Sequence, residues 1–193
     1  MFKFLLLTLF FNFSYSEVLF SKFINQNKIF LNNSIQSIQF DYSIHNLDST
    51  LNEGPGRLLI SKDKYKLILK NHIFMLNEFT FKRYNKKTNQ VFIENNNFEI
   101  DAIVLDFFKI ENLESIQIDN NGIISSLPSN LNINNLVIKL DFSIDSSEIK
   151  NINIQSNEYI ISLNNLYFSN ETKTIDNPFS FNFPNSFTFD LRD

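Results

Sequence analysis

The stretch Ser34-Ile35-Gln36-Ser37-Ile38-Gln39-Phe40-Asp41-Tyr42-Ser43-Ile44-His45 decides the architecture. Ile38, Phe40, Tyr42 and Ile44 fall on one side of an extended chain, and Gln39, Asp41, Ser43 and His45 on the other. A period of two puts one face against a core and the other in water, as an antiparallel strand requires. Immediately upstream the period changes. Over Glu17–Leu31, Leu19, Phe20, Phe23, Ile24 and Phe30 recur at helical spacing, with Ser21, Lys22, Gln26 and Lys28 mostly opposite. The spacing predicts a helix with one apolar stripe.

Downstream the chain reads as strands with short turns. Arg57–Ile60 and Tyr65–Lys70 flank Lys62-Asp63-Lys64, and Ile73–Leu76 and Phe79–Tyr84 flank Asn77-Glu78. Val91–Ile93 follows a polar turn at Asn85–Asn89. Ile100–Ile110 returns to helical spacing, with Ile103, Phe107 and Ile110 on one stripe. Asp119-Asn120-Asn121-Gly122 is a hairpin signal that needs left-handed residues. Val137–Ile144, Ile149–Gln155, Glu158–Phe168, Phe179–Phe183 and Phe187–Phe189 are further extended runs. Leu113–Asn135 carries the weakest signal. The expected arrangement is one large curved sheet of antiparallel neighbours, with both helices over one face. It would enclose a cavity for an apolar ligand, or pack solid beneath the same helices; the pattern is the same for both.

With 193 residues, 43% hydrophobic and 20% charged, the chain suits one globular domain. A net charge of −4 opposes the phosphate attraction on which nucleic-acid binding depends. The absence of Cys excludes disulfides, a Cys zinc site and a lipid-modified N-terminal Cys. Three glycines leave no Gly-rich phosphate loop and no nucleophile elbow. The 23 Phe accompany 30 Asn and 25 Ile, which AT-rich codons would produce, so only the placement of the Phe is informative. Lys3, the apolar run Phe4–Phe13 and Ser14-Tyr15-Ser16 read as an export signal over residues 1–16. Its ten-residue core would span about 15 Å as a helix, half a bilayer's hydrocarbon thickness. Cleavage after Ser16 is therefore expected, leaving a domain of residues 17–193 free to diffuse.

No enzyme signature emerges. His45 and His72 are the only histidines, and neither has the i,i+4 partner of a helical metal site. A Ser-His-Asp triad is recognised by geometry, but no glycine-bearing turn would hold its serine exposed. Asp101, Asp106, Asp145 and Glu148 are scattered near element ends. No catalytic residue, metal or cofactor is expected. Lys82-Arg83-Tyr84-Asn85-Lys86-Lys87 is a basic cluster, either a solvated turn or a docking patch for an acidic partner.

The order of parts resembles the outer-membrane lipoprotein carrier family, LolA. The carrying features are the signal, helix and alternating strand, then Glu53-Gly54-Pro55-Gly56-Arg57-Leu58-Leu59-Ile60-Ser61-Lys62 and Tyr65-Lys66-Leu67-Ile68-Leu69. Ile73-Phe74-Met75-Leu76-Asn77-Glu78-Phe79-Thr80-Phe81-Lys82-Arg83-Tyr84-Asn85 is similar to the family's next hairpin. Asn177-Pro178-Phe179-Ser180-Phe181-Asn182-Phe183-Pro184 is similar to its ending. Asn77-Glu78 stands where many members have Asp-Gly, and Asp63 where they have Pro.

The resemblance implies a mainly β fold with an α-helical lid: an unclosed antiparallel β-barrel (a LolA/LolB-like half-barrel) enclosing a hydrophobic cavity. It implies a periplasmic monomer that takes acylated lipoproteins from an inner-membrane LolCDE-like ABC transporter to an outer-membrane LolB-like receptor, without nucleic acid or cofactor. LolB is anchored through Cys, so zero Cys fits the soluble carrier. On this reading Phe20, Phe23 and Phe30 with Ile103 and Phe107 form the lid's inner face. Phe40, Leu58, Ile60, Leu67, Phe79 and Phe81 line the concave face of the sheet. Lys62 matches a position where some members use Arg to hold the lid; Lys lacks the planar fork, and Arg57 is the other candidate. Core packing is the competing role for every lining residue. A sensor or interaction protein using the same half-barrel, as in anti-sigma-factor regulators, is the alternative function.

Overall fold

The computed structural model describes residues 15–32, 34–46, 49–61, 63–77, 80–95, 107, 109–126, 136–143, 145, 148–157, 159–169 and 177–192. The signal segment before residue 15 lies outside them, as do Lys62, Phe79, Ile103 and most of the expected Ile100–Ile110 helix.

The period-two stretch forms β1 (Ile35–His45), and the apolar stripe before it forms α1 (Tyr15–Gln26) and α2 (Lys28–Leu31). Asn27 separates the two helices: its backbone and side-chain N–H groups both donate to Phe23 O at 3.0 Å, and Leu31 N–H donates back to Asn27 O at 2.8 Å. Buried Gln36 then donates to Leu31 O at 2.9 Å, tying the last helical turn to the first turn of strand. A carbonyl that the helix leaves unpaired is satisfied there.

After β1 come β2 (Thr50–Ser61), β3 (Lys64–Ile68), β4 (His72–Asn77), β5 (Thr80–Asn85) and β6 (Gln90–Asn95). A short helix α3 (Ile110–Ser115) and the small hairpin β7 (Gln117–Ile118) and β8 (Ile124–Ser126) follow. The chain returns through β9 (Val137–Phe142), β10 (Ile149–Gln155), β11 (Ile160–Ser169) and β12 (Phe187–Asp190). Ten strands make one sheet in the order β12-β6-β5-β4-β3-β2-β1-β11-β10-β9, a large curved sheet that does not close.

Four expectations need correction. The glycine-bearing run before Arg57 is strand, so β2 is twelve residues long. Phe40 explains Gly56: the two residues pair across β1 and β2, and a Cβ at Gly56 would collide with the Phe40 ring. The expected mid-chain helix does not run unbroken to Ile110, because Lys109 is extended and the described helix starts after it. Phe179–Phe183 is not a strand; turn bonds Ser180 N–H to Asn177 O and Ser186 N–H to Phe183 O close both ends, with Asn177 and Asn185 left-handed. Finally, β12 pairs with β6 in parallel, because the chain crosses the sheet before joining its far edge. The Asp119–Gly122 turn does form: Asp119 Oδ1 accepts from Asn121 and Ile123 N–H, and Gly122 has φ +79°.

Ladder partners share a face, which sorts the side chains. Ile38, Phe40 and Tyr42 face the same way as Leu58, Ile60, Tyr65, Leu67, Phe74, Leu76 and Phe81. This inner face carries the main core, covered by Phe20, Phe23, Ile24, Phe30 and Leu31 from the helices and by Leu113, Ile116 and Ile118. Among the described residues, no helix is long and apolar enough to cross a membrane.

Candidate functional site

The inner face has two halves. Beneath α1 and α2 the aromatic rings close on one another: Phe23 stacks on Phe20 at 6.4 Å and meets Phe168 of β11 at 5.3 Å. Phe168 also takes Phe30 edge-on at 5.3 Å, and Phe20 reaches Phe142 of β9 at 6.2 Å. These separations are those of favourable aromatic pairs. Phe23 is fully buried.

Over β4, β5 and β6 the face remains half-buried. The His72 ring stacks on Phe74 at 5.8 Å, and Phe74 on Phe81 at 6.1 Å, giving a strip across β4 and β5. Beside it, the Arg83 guanidinium lies 4.9 Å from the centre of the Phe92 ring and 3.6 Å from Glu94. Phe92 in turn stacks on Phe189 of β12 at 5.2 Å.

At the end of this strip opens a polar cleft of about 430 Å³. Thr50 and Asn52 of β2, Lys70, His72, Asn85 and Lys87 are among its walls. Asn52 Oδ1 accepts from the Tyr42 hydroxyl at 3.1 Å. Burial pushes the Tyr42 hydroxyl above the usual phenol range, against a smaller opposing contribution from a backbone hydrogen bond at Lys70. Burial pushes His72 below the usual imidazole range, and Arg83, Lys87 and Lys86 add to the effect.

Of the residues expected to bind ligand, Phe20, Phe23, Phe30, Phe40, Leu58, Ile60 and Phe107 are buried in one cluster, with Leu67 and Phe81 packed against it at partial exposure. Phe79, Ile103 and the expected lid contact Lys62 lie outside the described residues. The other candidate, Arg57, projects to the outer face, where its Nε donates to Ser37 Oγ at 3.1 Å. The expected basic cluster is split by strand alternation. Lys82 and Tyr84 point outward, Arg83 inward, and Lys86 donates to Leu69 O and Lys70 O.

Sequence reasoning missed Phe74, Phe142 and Phe168. Phe74 was readable, since it alternates with His72 and Leu76. Phe168 was not: Leu163 opposes Tyr42 and Phe168 opposes Ile38, five residues against four. A bulge with Asn165 at φ +53° absorbs the extra residue and moves the inward positions from odd to even numbers.

No family model matches the chain, and no curated protein matches it. Among solved structures, it is similar to an uncharacterised conserved protein from Thermus thermophilus, with 6% identity and a TM-score of 0.45 over 91% of this chain and 98% of that one. It is also similar to a LolA superfamily protein from Nitrosomonas europaea, with 5% identity and a TM-score of 0.35 over 80% of this chain and 91% of that one. The fold is given by this chain's own strand ladder.

Proposed function

We propose that the chain is a periplasmic, non-enzymatic carrier that holds the acyl chains of lipoproteins on the inner face of its sheet. An exposed methylene costs about 0.8 kcal/mol in water, so acyl chains cross between membranes only when covered. The observation that supports the reading is the half-buried strip of Phe74 and Phe81, which is packed against a wholly buried apolar cluster. A face of that kind covers a chain without enclosing it completely, which permits release. On this reading the donor is an inner-membrane ABC transporter, the acceptor is an outer-membrane receptor, and the carrier works as a monomer without cofactor.

The test is release of a lipoprotein from spheroplasts as a soluble complex with the mature chain, together with displacement of an apolar fluorescent probe by a diacylated peptide. Phe81→Glu is expected to stay folded, because Phe81 is only half-buried, and to lose both activities. Neither release nor displacement by the unsubstituted chain would overturn the reading.

A further inference from the structure

Two hairpin turns are fastened together at the cleft. Leu69 N–H donates to His72 O at 2.8 Å, so Lys70-Asn71 is a two-residue loop. In the next turn Asn85 Oδ1 accepts from Lys87 N–H at 2.9 Å and from Thr88 N–H at 3.4 Å. Lys86 joins the two turns. Its backbone N–H donates to Asn71 O at 2.9 Å, and its Nζ donates to Leu69 O at 2.7 Å and Lys70 O at 3.2 Å. The backbone that carries Lys70 and Lys87 is thereby held, and both lysines line the same cleft.

The chain is acidic overall, yet this corner is basic. Lys70 and Lys87 line the cleft, with Glu53 as the carboxylate among its lining residues. Glu53 pairs with Ser43, one position out of step with the inward pair Ile44 and Asn52, so alternation turns its side chain toward the outer face. Burial first, and then Arg83, Lys87 and Lys86, act on His72 against its protonation. Asn71 and Asn85 add amide donors, whereas Thr50 pairs with His45 and its hydroxyl lies 3.0 Å from His45 Nδ1. The His72 ring stands between this polar volume and the Phe74–Phe81 strip.

We propose that the cleft binds a phosphate headgroup, with Lys70 and Lys87 as its cations and Asn71 and Asn85 as donors, while the acyl chains pass over His72 onto Phe74 and Phe81. This rests on the acyl-chain face of that reading and adds a second cargo to it, a phosphate-bearing amphiphile, since the thioether-linked diacylglycerol of a lipoprotein carries no phosphate. Charge-assisted hydrogen bonds supply the selectivity, and the volume falls within the range of small-ligand sites. Inorganic phosphate offers the same oxygen chemistry without the chains.

The test titrates the full chain with a short-chain phosphatidic acid, with the matching diacylglycerol and with inorganic phosphate. It follows the His72 imidazole by NMR, assigned by its absence in His72→Asn. Phosphatidic acid is expected to bind about tenfold more tightly than diacylglycerol, a difference of about 1.4 kcal/mol. High salt should shrink the preference, and Lys70→Gln with Lys87→Gln should abolish it while leaving diacylglycerol binding intact. Bound phosphate should also raise the His72 pKa. Equal binding of the two lipids, unchanged by the lysine substitutions, overturns the headgroup site and leaves the carrier reading standing. Binding of inorganic phosphate as tightly as phosphatidic acid, with no binding of diacylglycerol, overturns the lipid assignment and the carrier reading together.

Discussion

The two faces of the sheet are both covered by phenylalanines, and they are held in different ways. On the inner face Phe20, Phe23 and Phe30 of the helices meet Phe142 and Phe168 of the strands, ring against ring, and Phe23 is wholly out of water. On the outer face the strap at residues 177–186 lays Phe179, Phe181 and Phe183 against lysines and a tyrosine. Lys64 Nζ lies 5.0 Å from the centre of the Phe179 ring, Lys82 Nζ lies 5.9 Å from that of Phe181, and Phe183 stacks on Tyr84 at 3.8 Å. Lys66 donates to Ser180 O, and burial holds its ammonium below the usual lysine range. The inner cover is a core cut into a helix and a sheet. The outer cover sets lysine stems and ring contacts around Leu59, Ile73, Met75 and Val91, which alternation turns to this face and which are buried.

If that distinction holds, equal truncations will have unequal costs. Phe23→Ala removes a fully buried ring and should destabilise the chain by about 3–5 kcal/mol, read by urea denaturation. Phe183→Ala removes one stacked pair, worth about 0.5–1.5 kcal/mol beyond its buried area, from a half-buried position, and should cost less than Phe23→Ala. Its effect should appear as faster amide exchange over residues 177–186, with the amides of α1 unchanged. Comparable losses from the two variants would break the comparison and make the strap part of the core.

The inner face was legible in advance and the outer face was not, for one physical reason. Helical and period-two spacing report apolar residues that meet apolar residues, so Leu19, Phe20, Phe23 and Phe30 over Ile38, Phe40, Leu58 and Ile60 could be read directly. The strap packs on Lys64, Lys66 and Lys82, which alternation assigns to water and which interrupt the buried outward residues Leu59, Ile73, Met75 and Val91. A lysine stem is apolar for four carbons and carries its charge only at the tip, and no hydrophobic pattern registers it. The cleft was obscured in a similar way. Lys82–Lys87 is contiguous in sequence, but the pleat sends its side chains to opposite faces, and only Asn85 and Lys87 of that run line the cleft. Their partner Lys70 sits in a different hairpin, brought beside them by hydrogen bonds from Lys86 to carbonyls that any sequence would supply.

Acidification should separate the faces most finely. The outer contacts named above rest on lysine stems, aromatic rings and backbone carbonyls, with no histidine or carboxylate among them. The inner face ends on His72, whose pKa is depressed in the folded chain by burial and then by Arg83, Lys87 and Lys86. Because the folded pKa lies below the unfolded value of about 6.5, the unfolded chain binds more protons as pH falls. The contribution of neutral His72 is therefore present above pH ~6.5 and is lost as pH falls through the folded pKa. His72→Asn should lack this loss, so the stability gap between the two chains should narrow on moving from pH 7.5 to pH 5.5 in paired urea titrations. Amide exchange at low pH should quicken around the Lys70 and Asn85 turns before it quickens in the strap. A gap that is constant with pH would mean that His72 titrates as it does in water, and the inner strip would then be as open at its end as the strap is along its length.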